Sequence, residues 1–203
     1  MKGNEGEAVS PVAASWRAKV RERLCCVSRR MRGNARAGSA VVEFAFIAPV
    51  FFVLLMGIIE AGIIFFAQSV LQNATNDAAR LIRTGQVAAA SMTQTQFRTT
   101  ICNEIGPLLA CDSNLLVDVE SFSSFSSVTY TSALTSGNAL NTNLNNYSIG
   151  AACSIVLVRT FYTWNVVTPL LTTFLVNMTN NQHLLTAAAA FRNEPYTTTV
   201  SGC

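Results

Sequence analysis

The chain has 203 residues, of which half are hydrophobic and only 12% are charged. A balance of this kind argues against a wholly soluble protein and is typical of one membrane segment joined to a domain of modest size. The charge is unevenly spread, with nine Lys or Arg against three Glu in residues 1–38, and five Arg against eight acids in residues 39–203. Because Lys and Arg resist translocation, the N-terminus is expected inside the cell and the C-terminal part outside it.

The basic leader, residues 1–38, has two interpretations. Clustered Arg can neutralise nucleic-acid phosphates, but the leader has one aromatic residue, Trp16, and adjoins an apolar run. An amphipathic helix on the inner leaflet, around residues 12–27, fits interfacial Trp and Arg better. The leader therefore predicts a membrane partner and no nucleic-acid partner.

A long apolar run, residues 44–67, follows the leader and contains a single charge, Glu60. As a helix it would cover about 36 Å at ~1.5 Å per residue, enough to cross a hydrocarbon core of about 30 Å. The apolar part of a cleaved secretory signal is only about 7 to 15 residues long, so that interpretation is disfavoured. We predict a transmembrane helix over residues 39–68, with a kink at Pro49.

Beyond the membrane, the helix is expected to continue through residues 69–106, with an interruption at Gly85. Apolar residues recur there at helical spacing, first as Leu71, Ala74, Ala78 and Leu81 or Ile82, then as Phe97, Ile101 and Ile105. The helix that follows the interruption is expected to end near Gly106-Pro107, which is a strong stop signal.

Residues 107–203 are predicted to form a small outer domain. Partial alternation from Leu115 and the branched and aromatic run from Cys153 to Trp164 indicate strands. A short helix is expected from Pro169, with Leu171, Phe174, Leu175 and Met178 on one face. Residues 183–193 are predicted to be a strand that pairs with residues 154–164. The fold class is therefore α+β: a long N-terminal helix extending into a short antiparallel sheet with one or two short helices.

Six cysteines divide by compartment. Cys25 and Cys26 lie in the leader, where thiols stay reduced, and have no assigned role. The outer part has four, an even number in an oxidising setting, and their favoured pairing is Cys102–Cys111 and Cys153–Cys203. A zinc site is the alternative use of four cysteines, but no C-x-x-C spacing is present.

Candidate catalytic residues are lacking in the sequence. His183 is the single histidine, so any Ser-His-Asp or Cys-His arrangement would depend on it, and it fits a polar loop position better. The acids Asp112, Asp118 and Glu120 lack metal-ligand spacing and are expected on a solvated face. No enzyme activity, cofactor, metal or small-molecule substrate is therefore predicted.

The segment from residue 38 to 86, beginning GSAVVEFAFIAPVFFVLLMGIIEAG, resembles the TadE-like family of pilin-type proteins from tight-adherence pilus systems. The resemblance implies that a prepilin peptidase cleaves after Gly38, leaving Ser39 as the new N-terminus. Glu43 would then be the fifth mature residue, followed by Phe44. It also implies a minor pilin or pseudopilin whose partners are the membrane, the peptidase, other pilin-like subunits and the pilus secretion machinery.

Glu43, directly before the apolar run, and Glu60, within it, need a physical explanation, because an unpaired charge drawn into an apolar bundle is costly. Cleavage would create an α-ammonium at Ser39, on this chain or a neighbour's, that can pair with Glu43 and set the stagger between packed helices. The alternative for Glu43 is an interfacial acid on a simple anchor. Glu60 is predicted to lie at a helix–helix contact with Gly57 and Ala61, whose small side chains permit close approach. A snorkelling acid without a partner is the alternative there.

Two rival functions stay open on the sequence alone. The first is an uncleaved single-pass anchor whose outer domain binds an envelope partner. The second is an envelope hydrolase on a membrane stalk, which would need catalytic residues that the sequence does not display.

Overall fold

The computed structural model describes residues 35–106, 109–111, 113–168, 172–196 and 203. The expectations for the leader, including its amphipathic helix and Cys25 and Cys26, lie outside the described residues. Two compact units divide between Phe52 and Val53, within the first helix. The elements in chain order are α1 (Ala35–Arg83), α2 (Gln86–Ala89), α3 (Gln94–Ile105), β1 (Leu115–Phe122), a 3₁₀ turn (Phe125–Ser127), β2 (Ile155–Asn165), α4 (Thr172–Leu175) and β3 (Gln182–Arg192).

The 49-residue helix α1 continues without interruption through Pro49. It ends at Arg83 because Gly85 takes a left-handed conformation, with φ of 75°. An added Cβ at Gly85 would overlap the ring of Tyr196, so this turn needs glycine both for its backbone and for the approach of the C-terminal segment. The predicted interruption at Gly85 is therefore confirmed.

Helix α3 has clear local causes for both ends. Thr93 caps its start, and Thr93 and Gln96 each bind the other's backbone N–H in a capping box. Its end falls at Ile105, before Gly106 with φ of 62°. The predicted stripe is confirmed, since its members are buried: Phe97, Ile101 and Ile105. The predicted disulfide between Cys102 and Cys111 joins α3 to the segment that follows it.

The three strands form one antiparallel sheet in the order β1-β2-β3, as the sequence predicted for β2 and β3. One face packs on the helices, through residues such as Val117, Val158 and Ala187 against Leu71, Ala74, Ala78 and Ile82. The other face carries a smaller cluster of Leu144, Phe161, Met178 and Leu184. A second disulfide joins Cys153, just before β2, to Cys203, with Cα atoms 5.4 Å apart.

The short helix between β2 and β3 differs from expectation. The described helix, α4, covers only Thr172–Leu175, and residues 169–171 lie outside the described residues. Phe174 is 83% exposed, whereas Met178 is buried beyond the helix end. The prediction of one apolar face shared by Phe174 and Met178 was therefore wrong, because the helix ends before its periodicity can align them.

Candidate assembly site

The first part of α1 exposes its apolar side chains. Large hydrophobic residues are exposed from Val41 to Phe66, with Phe46 at 77%. The helix segment Gly38–Arg83 is long and apolar enough to cross a membrane. Exposure of so many large apolar groups in water would be unfavourable, and in a bilayer these groups contact lipid or other helices instead.

Glu43 lies at the start of this exposed surface. It is exposed, and its Oε1 accepts a 2.8 Å hydrogen bond from Ser39 Oγ, one helical turn earlier. Phe44 is exposed beside it, and the space where Gly38 would carry a Cβ is open, with no atom within 4 Å. Ser39 and Glu43 are therefore joined on an accessible part of the helix that directly follows Gly38.

Glu60 is in a different environment, because it is only 7% exposed. Its Oε1 accepts a 2.6 Å bond from the backbone N–H of Val167, and its Oε2 accepts a 2.8 Å bond from that of Thr168. Two backbone donors on one carboxylate are charge-assisted hydrogen bonds, which are stronger than neutral ones. Glu60 thereby attaches the segment after β2 to α1.

The contact at Glu60 is intramolecular, which the sequence did not suggest. Gly57 is buried and Ala61 is half-buried on the same part of α1. The small side chains of Gly57 and Ala61 predict a contact of Glu60 with another helix, and the alternative leaves Glu60 without a partner. The carboxylate has a partner in its own chain, and a contact between subunits stays a prediction for the two small residues.

Two glutamines connect α1 to the sheet further along. Gln68 donates to the carbonyl oxygen of Thr186 at 2.7 Å, and Gln72 donates to that of Ala188 at 3.2 Å. Because β3 is an edge strand, these side chains satisfy carbonyl groups that would otherwise face solvent or another chain. After the end of β3, the backbone N–H of Glu194 donates to Arg83 O at 2.9 Å.

Both acids of β1 are paired with Arg159, Asp118 being buried and Glu120 half-buried, so the prediction of a solvated face was wrong for Asp118. Asp118 is fully buried and accepts two bonds from the Arg159 guanidinium, the shorter at 2.6 Å. Arg159 also contacts Glu120 at 2.9 Å and donates to Thr131 O. Burial raises the pKa of Glu120 above its ordinary value, the adjacent Asp118 raises it further, and Arg159 opposes both. Asp112 lies outside the described residues.

In the described part of the chain, no three His, Cys, Asp or Glu side chains lie close enough together to bind a metal ion. His183 is the second residue of β3, and its Nδ1 lies 2.6 Å from Leu175 O. This contact ties the segment after α4 to the start of β3.

These features define a class of protein: a small disulfide-linked α+β domain carried on a helix that is long and apolar enough to cross a membrane. The family model described as TadE-like protein matches residues 38–80, which confirms the resemblance predicted over this helix. The match lies wholly within the described part of α1 and does not include the sheet. Comparison with curated proteins gives no match, and comparison with solved structures gives none either.

Proposed function

We propose that this chain is a minor pilin or pseudopilin of a tight-adherence pilus system, cleaved after Gly38 by a prepilin peptidase. Its N-terminal helix packs with the helices of other pilin-like subunits, and its outer domain lies on the periplasmic side of the bacterial inner membrane. The protein contributes packing and display, while the peptidase performs the chemistry.

The observation that carries the proposal is the bond between Ser39 and Glu43 at the start of the exposed apolar segment of α1. Glu43 is exposed there, and its one described hydrogen bond is with Ser39 Oγ, the residue that cleavage would turn into a new amine. A carboxylate entering an apolar helix bundle needs a cation, since an unpaired charge there is costly. The new ammonium, on a neighbouring chain or on this one, supplies that cation, so cleavage and helix packing are coupled through Glu43.

Processing is tested by the intact mass of the protein purified from cells that contain either an active or an inactive prepilin peptidase. The expected result is the loss of residues 1–38 with the active enzyme and an unchanged mass with the inactive one. An intact N-terminus in the presence of active peptidase would instead support the uncleaved single-pass anchor.

Pairing is tested separately with Glu43→Gln, which removes the charge and keeps the size of the side chain. We expect normal cleavage but loss of cross-linking to other pilin-like subunits in the membrane. Glu104→Gln is the matched control, because Glu104 is an exposed glutamate on α3. Wild-type cross-linking of the Glu43→Gln protein would contradict the pairing step.

A further inference from the structure

The connection between β2 and β3, described at residues 166–168 and 172–181, exposes two large apolar side chains. Val167 is 82% exposed and Phe174 is 83% exposed. Both values exceed that of the most exposed large apolar side chain on α1, Phe46 at 77%. Two such exposed apolar groups, on a segment that hydrogen bonds otherwise hold in place, indicate a surface that contacts a partner.

Hydrogen bonds fix the end of the sheet at which this connection lies. Glu60 of α1 binds the backbone of Val167 and Thr168, and Gln68 of α1 binds Thr186 within β3. Further along, Arg83 O accepts from the backbone of Glu194. Helix α1 and strand β3 therefore run in the same direction. Val167 and Thr168 lie beside the turn of α1 that contains Glu60, and Leu175, next to Phe174, contacts His183 at the start of β3.

The surface of α1 at this same turn is apolar and exposed. Ile59 is 48% exposed and Ile63 is 39% exposed, whereas Glu60 and Ile64 on another side of the helix are buried. Glu43 and Glu60 are seventeen residues apart, which is about 25 Å along a helix axis, close to a hydrocarbon thickness of about 30 Å. If the helix spans a bilayer with Glu43 at the inner boundary, the turn at Glu60 lies inside the hydrocarbon region, about 5 Å from its boundary on the side of the outer domain.

We propose that the outer domain rests on the lipid through Val167 and Phe174, which enter the leaflet beside α1 at the level of Glu60. The Glu60 carboxylate is compatible with this position because two backbone N–H groups satisfy it within the protein. The sequence also contains no Asp, Glu, Lys or Arg between Arg159 and Arg192, so the connection brings no charged side chain to the lipid.

Lipid fits these side chains better than a second copy of the chain does. A stable protein–protein interface takes about 800 Å² from each partner. One Phe supplies about 150–250 Å² and a Val supplies less, so the two side chains fall well short of that area. Insertion into a leaflet has no such threshold, because the membrane-spanning helix already holds the domain at the surface.

The test uses tryptophan fluorescence of the full chain, reconstituted as one copy per lipid nanodisc, with lipids brominated near the headgroup end of their acyl chains. Phe174→Trp and Val167→Trp are each made in a background of Trp16→Phe and Trp164→Phe. Leu54→Trp reports on the apolar part of α1. Phe125→Trp is the matched control, because this exposed Phe follows β1 at the opposite end of the sheet, where Phe122 pairs with Ile155.

We expect brominated lipid to quench Phe174→Trp and Val167→Trp, with blue-shifted emission, and to leave Phe125→Trp unquenched. The inference is overturned if both report no more quenching than Phe125→Trp while Leu54→Trp is quenched. It is also overturned if quenching disappears when two copies share a nanodisc, because a second copy would then cover the surface. The inference rests on the proposed function, because it requires that α1 spans the membrane. An unquenched Leu54→Trp would therefore overturn both the membrane span and the lipid contact. The cleavage and pairing steps have their own tests, by intact mass and by cross-linking.

Discussion

The two parts of α1 use similar residues in opposite ways. From Phe44 to Met56 the helix carries no charge and nearly all of its side chains are exposed, whereas beyond Glu60 its buried residues recur at helical spacing, as at Ala67, Leu71 and Ala74. The two acids follow the same division, since Glu43 is exposed beside Ser39 and Glu60 is buried against the outer domain. A continuous helix can therefore change its surroundings without a change in secondary structure, and the position of the charged residues marks where it does so.

The largest expected effect on stability comes from comparing Leu→Ala at two positions, one in each part of α1. Leu71 is fully buried in the core of the outer domain, whereas Leu54 is 56% exposed. Leu71→Ala should lower the free energy of unfolding of the outer domain by about 3 kcal/mol, because it removes buried methyl groups and leaves a cavity. Leu54→Ala should leave that free energy unchanged. The measurement is denaturant unfolding of the reconstituted chain, and equal losses at the two positions would contradict the division.

A smaller effect is expected from the two acids. Glu60→Gln keeps the size of the side chain but weakens two charge-assisted hydrogen bonds, at a cost of about 2 kcal/mol to the contact with Val167 and Thr168. Hydrogen exchange at those two amides should accelerate, because their charged acceptor is gone. Glu43→Gln is the matched variant and should leave the same amides unchanged. Unaltered exchange in the Glu60→Gln protein would mean that the carboxylate does not hold this segment.

The smallest effect concerns Glu120, a carboxylate of the domain rather than of α1. Its pKa is raised, mainly by burial, so its contribution to stability is complete below its ordinary pKa of 4.5 and is lost as the pH rises through the raised value. Glu120→Gln cannot titrate and lacks this loss. The unfolding free energy of Glu120→Gln minus that of the wild type should therefore increase with pH from about pH 4 upward. If this difference in unfolding free energy falls as the pH rises, the pKa of Glu120 is lowered in the folded protein and not raised.

Much of the fold follows from local patterns. The strands β2 and β3 are dense in apolar residues over a strand's length, and α3 has both a capping box and a glycine stop. The buried stripe of Phe97, Ile101 and Ile105 follows directly from helical periodicity. The predicted start of the apolar run follows from the position of Glu43, and its predicted end follows from the polar residues that begin at Gln68.

The contacts of Glu60 and Asp118 could not be read from local patterns. Glu60 binds backbone N–H groups more than a hundred residues away, and a backbone donor leaves no mark in the sequence. Asp118 is opposite Arg159 in the β1–β2 register. A cross-strand charge pair would have revealed this partner had the register been derived first.

The bonds from Gln68 and Gln72 to the β3 edge affect how two molecules can pair. An edge strand with unpaired backbone groups can pair with a strand of another molecule, and molecules held in one membrane meet often and in similar orientations. Two amide side chains of the chain's own helix occupy Thr186 and Ala188 on that edge. A strand of another molecule is thereby hindered from pairing with β3 at these two positions.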